Sequence, residues 1–335
     1  SEASADGIKW TFAPMVDIAR DPRWGRVAGG YGEDPCLASS MSAAAVRGFQ
    51  DPDVSAAHKI VACVKHFVGY GGAEGGRDYE SAEISMRTLR DIYLPPFRAA
   101  VNAGVGTLMA AFHDLNGIPL SAHRQLLTEV LRLEWGFKGF VVSDWASIEE
   151  LVNHGVARDR AEASALALFA GVDMDMVSGS YLENLGSLLE QGRLTPETLD
   201  EAVRRILRIK FLAGLFDRPY TDPRRAASAI LTPENRRAAR LLAQQSVVLL
   251  KNEDGILPLE NCFRRIALLG AHAHSRGELF GTWTPDGRAE EATSIAEAVK
   301  ATAPQGVEIL FADSADEAIR NAKSADVAVV VLGEH

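Results

Sequence analysis

Five short apolar runs in the first two-thirds of the chain each end in polar residues and give way to a helix-like stretch. They occupy residues 10–16, 59–64, 106–112, 140–142 and 171–176. Phe140-Val141-Val142 and Val61-Ala62-Cys63-Val64 show no polar alternation, so they read as strands buried on both faces. Such strands belong to parallel sheets. Strand, loop and helix in repetition predict parallel α/β structure. The polar residues that follow the runs are Asp17 and Arg26, Lys65 and His66, His113, Asp144, and Asp173 with Asp175. In a barrel of parallel strands these positions converge on one edge, where active sites are built. A closed (β/α)8 barrel needs eight strands, so the expected architecture is a barrel-like fold that either has its first strands before Ser1, the favoured reading, or is irregular.

The sharpest of these strand ends is Gly139-Phe140-Val141-Val142-Ser143-Asp144-Trp145. A carboxylate at the end of a buried strand is costly unless it faces a pocket. Asp144 therefore reads either as a pocket carboxylate or as the cap of the helix-like stretch after it. Lys65 and His66 read either as a strand-end ion pair with a satisfied histidine or as fixed hydrogen-bond donors for a ligand. The glycine-rich loop 69–76 lacks the Lys-Ser/Thr ending of a phosphate cradle, which argues against a nucleotide site. No second His or Cys stands at ligand spacing from His66, and the three cysteines (Cys36, Cys63, Cys262) form no CxxC pair, so neither a metal nor a cofactor is expected.

A length of 335 residues with 47% hydrophobic and 24% charged residues suits a globular chain of one large domain and part of another. The proline- and charge-rich residues 216–240 read as a linker between a barrel domain (1–215) and the start of an α/β sandwich (241–335), with the latter cut short at its C-terminal end. Residues 246–252 and 265–270, a short run near 308–311, and 327–333 read as strands of that second unit. A net charge of −10 without a basic stripe argues against a nucleic-acid partner. No apolar run of about 18 residues occurs, which argues against a membrane-spanning segment.

Several of these stretches, in this order, resemble glycoside hydrolase family 3. They are the Arg23-Trp24-Gly25-Arg26 loop, Lys65-His66-Phe67 after a strand, the segment from Gly139 to Asp144, and Ser246-Val247-Val248-Leu249-Leu250-Lys251-Asn252 with Leu257-Pro258-Leu259. Gly75-Gly76-Arg77-Asp78-Tyr79 and Gly281-Thr282-Trp283 are most similar to the family's bacterial periplasmic β-glucosidase branch. The resemblance implies exo-acting, retaining hydrolysis of a terminal β-linked sugar through a covalent glycosyl-aspartate. It implies Asp144 as nucleophile and Arg26, Lys65, His66 and Arg77 as ligands of the sugar hydroxyls. On that reading, positive charge from Lys65 and Arg26 is expected to hold the Asp144 pKa low, the glycine loop lets Arg77 and Tyr70 reach the sugar, and Trp145 and Trp283 offer rings to stack on it.

The implied substrate is a small β-linked oligosaccharide or aryl glycoside. A homodimer is left open, and a periplasmic or secreted location follows from resemblance alone. Where the family's strand-end motif carries Tyr and Asn, this chain has Phe112 and His113. The family's general acid is expected on the loop that Glu334 begins, beyond His335. Two alternatives stand beside this reading: a catalytically incomplete sugar-binding fragment, and a β-xylosidase of the same family.

Overall fold

The structure is a computed structural model that describes residues 1–259, 263–281, 284 and 287–333. Cys262, Trp283 and Glu334, singled out above, lie outside the described residues. The chain divides into two compact units, Ser1–Leu241 and Leu242–His335.

In the first unit the strands are β1 (Cys63–Phe67), β2 (Thr107–Ala110), β3 (Asp114–Leu115), β4 (Ile118–Pro119) and β5 (Phe140–Val142). β1, β2 and β5 form a parallel sheet in that order. Residues 10–16 extend it beyond β1 through parallel bridges from Trp10 to Val61 and from Met15 to Lys65. Met174 extends it beyond β5 by bridging Val142. The five apolar runs thus lie side by side in chain order, all parallel. Both faces are buried, as the unbroken apolar runs require. Val64, Leu108 and Val141 point into a large cluster with Val46, Phe97 and Leu127. Cys63, Met109, Phe140 and Val142 pack on the other face with Ile209.

Glycine is essential where β2 and β5 begin: a Cβ on Gly139 would lie 2.0 Å from the Gly106 carbonyl oxygen. The helices also follow local chemistry. Asp34 caps Pro35–Gln50 by accepting from the Cys36 amide at 2.8 Å, with Pro35 in the first turn. Residues 86–102 are helical but not uniform, with a π-helical turn at Leu89–Tyr93 before Pro95–Asn102. Pro95 and Pro96 lack amide donors, which interrupts the regular ladder at this point. β3 and β4 form a tight hairpin through Asn116 and Gly117, both with positive φ as such a turn requires.

Residues 216–240, read above as a linker, are largely helical: they hold Ala226–Ala229 and most of Pro233–Ser246. Glu2 accepts hydrogen bonds from the Leu231 amide at 2.7 Å and from Asn235 Nδ2 at 2.8 Å, tying this stretch to the N-terminal helix.

The second unit contains β6 (Arg265–Leu269), β7 (Glu308–Leu310) and β8 (Val327–Val330), parallel in the order β7-β6-β8. Ser294 and Glu297 form a reciprocal capping box at the start of Ile295–Thr302. The strand expected over 246–252 is absent: Ser246 ends a helix, and Val247, Val248, Leu249 and Leu250 are exposed. Their apolar, partly β-branched character gives strand propensity, but they find no pairing strand among the described residues. No described helix is long and apolar enough to cross a membrane.

Candidate active site

Lys65-His66 lie in the second half of β1, His113 and Asp144 follow β2 and β5, and Asp17 follows the bridged run 10–16, so chain direction brings them to one edge of the parallel sheet. His66 is the hub. Its backbone amide donates to Asp17 Oδ2 at 3.1 Å, and its ring Nδ1 lies 2.8 Å from the same oxygen. With Nδ1–H donating to Asp17, Nε2 is the nitrogen that faces Asp144 Oδ2, at 3.7 Å. Asp17 and His66 are both almost wholly buried. Sequence reading grouped Asp17 with the strand ends but gave it no role; its hydrogen bonding to His66 could not be read from a position 49 residues away.

Asp144 is 8% exposed. One oxygen accepts the Trp145 amide at 2.7 Å, and the other has no hydrogen bond among the described residues. It does not cap a helix: the helix after it, Glu150–Asn153, begins with Glu149 at its N-cap. The Asp144 pKa is raised, not lowered as expected, because burial outweighs the opposing pull of His66, the Trp145 amide, Lys65 and Arg26. The expectation counted the charges but not the loss of water around the carboxylate. Burial also lowers the Lys65 pKa, and repulsion from Arg26 adds to it against attraction from Asp144. Lys65 and Arg26 are thus electrostatically coupled to the same centre.

Arg26 lies 5.4 Å from the centre of the Tyr70 ring. Tyr70 is fully buried, contrary to the expectation that it approaches a ligand, and its hydroxyl donates to Asp78. Asp78 also accepts from Trp24 Nε1 at 3.2 Å. The glycine loop serves this packing. A Cβ on Gly71 would stand 2.1 Å from the Ile18 carbonyl oxygen, so only glycine permits that approach. Arg77 is exposed and pairs with Glu80 at 3.0 Å, and no hydrogen bond or ion pair joins it to Asp144, Lys65 or His66 among the described residues. Its i,i+3 neighbour is the nearer partner.

His113 is wholly buried, stacks on Tyr70 at 5.3 Å, and finds no hydrogen-bond partner for either ring nitrogen among the described residues. Burial pushes its pKa down to about 4, which keeps it neutral at ordinary pH. Phe112, beside it, packs against the edge of Tyr70 and face to face with Tyr79.

Trp145 is 65% exposed next to Asp144. A cleft of about 700 Å³ opens beyond it, lined by Ala146, Glu149, Glu150, Asn153, Arg160 and Asn184 but not by Asp144, Lys65 or His66. Asp173 is directed elsewhere, held by Arg132 at 2.5 Å, Arg205 at 2.9 Å and the Val141 amide at 2.8 Å. Asp175 accepts from Ser178 Oγ and the Tyr181 amide at the start of Ser180–Glu190.

Chemically, the edge offers one carboxylate beside a histidine, a lysine and an arginine in a water-poor setting. This set suits attack by a carboxylate on a polyhydroxylated substrate held by fixed donors. Comparison with known proteins identifies the family. Residues 1–209 match the model of the glycosyl hydrolase family 3 N-terminal domain, and residues 247–335 that of its C-terminal domain. The chain is 38% identical to a periplasmic beta-glucosidase of Salmonella typhimurium, covering 99% of this chain and 48% of that protein. It is 35% identical to a beta-xylosidase of Formosa agariphila, covering 99% of this chain and 50% of that protein. The structure of a beta-glucosidase from Listeria innocua in complex with glucose superposes with a TM-score of 0.93 at 39% identity, over 99% of this chain and 47% of that one. The chain thus spans about half the length of these relatives.

Proposed function

Because the chain belongs to glycosyl hydrolase family 3, we propose that it carries the nucleophile and sugar-gripping part of an exo-acting, retaining β-glycosidase. Asp144 attacks the anomeric carbon of the terminal sugar and forms a covalent glycosyl-aspartate, which water then hydrolyses. Lys65, His66 and Arg26 donate to the sugar hydroxyls and balance the charge of the carboxylate, and Trp145 flanks the ring. Arg77 joins them only if it leaves Glu80. The parallel sheet β1-β2-β5, with the bridged runs 10–16 and 171–176 on either side, is an arc of a (β/α)8-like barrel; their chain-order adjacency supports this, since a doubly wound sheet reverses its order.

The observation that carries the reading is Asp144 itself. It is a buried strand-end carboxylate, anchored through one oxygen by the Trp145 amide and facing His66 with the other. The substrate is a terminal β-glucoside or β-xyloside, since relatives of both names match. The test is hydrolysis of an aryl β-glucoside by the full polypeptide that carries this chain. Asp144→Asn is expected to lower the rate by several orders of magnitude while the fold, followed by circular dichroism, stays intact. An unchanged rate would exclude Asp144 as the nucleophile.

A further inference from the structure

Tyr79 holds a conformation that its residue type disfavours. Its φ is +67°, in the left-handed region where a Cβ crowds the backbone and glycine or asparagine is the usual occupant. The ring is nevertheless 63% exposed, so burial does not compensate for this conformation. What the conformation does is lay the ring flat on Phe112, with centroids 4.4 Å apart and planes 19° apart. Phe112 stands at the end of β2, on the same edge as Lys65, His66 and Asp144. It meets the edge of Tyr70 at 5.0 Å, and Tyr70 in turn meets His66 at 5.3 Å and lies beneath Arg26.

A row of rings therefore runs outward from the buried cluster, His66 to Tyr70 to Phe112 to Tyr79, and ends in an aromatic face open to solvent. Asp78, just before Tyr79, is anchored by Tyr70 and Trp24, which fixes the backbone from which the ring is presented. Strain kept at an exposed aromatic residue beside a reactive cluster is the pattern of a presented contact surface. The next residue, Glu80, is itself paired with Arg77, so among the described residues the ring is the part of this turn with no partner on its outer face.

We propose that the outer face of Tyr79 stacks on the leaving-group portion of the substrate, a flat ring of apolar character, whether an aryl group or the C–H face of a second sugar. The proposal rests on the glycosidase reading above. Stacking of this kind stabilises by about 0.5–1.5 kcal/mol, a change of roughly 2- to 12-fold in binding at 1.4 kcal/mol per tenfold.

The experiment uses the full polypeptide and three substrates: phenyl β-glucoside, a β-linked glucose disaccharide, and methyl β-glucoside, whose leaving group has no ring. Tyr79→Asn removes the ring but tolerates the left-handed backbone, and Tyr79→Phe keeps the ring. For Tyr79→Asn the expected result is a fall of roughly 5-fold in kcat/KM for the phenyl glucoside, the disaccharide or both. The methyl glucoside changes by less than twofold, and the melting temperature is unchanged or raised. Which ringed substrate falls tells an aryl partner from a sugar. Tyr79→Phe should match the wild type on all three.

An equal fall on all three substrates would assign Tyr79 the structural task of holding Phe112 and overturn the proposal. No fall on any would do the same. If the wild type acts only on phenyl β-xyloside, the same comparison is made with phenyl and methyl β-xylosides. Wild-type protein that hydrolyses none of the three glucosides and no phenyl β-xyloside would overturn the underlying glycosidase reading, and this proposal with it, a result told apart from the others by the wild-type rates alone.

Discussion

His113 offers a test of the site's interior that needs no substrate. Its imidazole is buried against Tyr70, neither ring nitrogen has a hydrogen-bond partner among the described residues, and its pKa falls from 6.5 to about 4. Between those two values the unfolded chain binds a proton that the folded chain refuses. Stability is therefore complete above pH 6.5 and is lost as the pH falls, until the loss levels off below about 4. The whole difference, at 1.36 kcal/mol per unit, is about 3 kcal/mol, and most of it is spent by pH 4.5. His113→Phe keeps a ring of similar size on Tyr70 and removes both the titration and the unsatisfied nitrogens.

The assay is denaturant unfolding of wild type and variant at several pH values from 7.5 to 4.5. Tryptophan fluorescence reports chiefly on the first unit, which holds Trp10, Trp24, Trp135 and Trp145. Other groups titrate in this range, but they are common to both proteins and drop out of the difference. The variant should gain on the wild type by about 2–3 kcal/mol between pH 7.5 and 4.5. A difference that stays constant with pH would mean that His113 is charged or solvated in the folded protein, and the account of its burial would fail.

Asp17→Asn weakens the acceptor for His66 Nδ1–H without changing its shape. The expected outcome is a fall of about 10- to 100-fold in kcat/KM for an aryl glucoside, the worth of one hydrogen bond to a charged group, a shifted pH profile and little change in melting temperature. An unaltered pH profile would leave Asp17 only a structural part. Asp173→Ala leaves Arg132 and Arg205 facing each other without their shared carboxylate, at a cost of about 3–5 kcal/mol in unfolding free energy. Asp173→Asn should recover part of that loss, and neither variant should alter KM where the protein stays folded.

Much of this site was legible in the sequence because parallel strands send their following residues to one edge. Asp144, Lys65 and His66 were found that way, and the structure sets His66 Nε2 3.7 Å from Asp144 with Lys65 beside His66 on β1. The position of Asp17 was equally visible, but its bond to His66 depends on how two neighbouring strands register, which local pattern does not specify. Tyr70 was misread because an aromatic residue in a glycine loop looks exposed; Gly71 in fact lets the loop press onto Ile18 and bury it. The raised pKa of Asp144 escaped for a related reason: charged neighbours can be listed from a sequence, whereas desolvation is a property of the packed fold. Residues 246–252 have the composition of a strand, yet sheet formation also needs a partner, and composition is silent on that.

The central claim is that Asp144 forms a covalent bond to the sugar. The direct measurement is the mass of the full polypeptide after incubation with a dinitrophenyl 2-deoxy-2-fluoro-β-glucoside, followed by peptide mapping. Dinitrophenolate leaves without protonation, and the fluorine slows hydrolysis of the ester, so labelling depends on the nucleophile alone. The account predicts a gain of one fluoroglucosyl unit on the peptide containing Asp144, and no gain in Asp144→Asn. A label on another carboxylate, or an unlabelled protein that still hydrolyses the parent aryl glucoside, would contradict it.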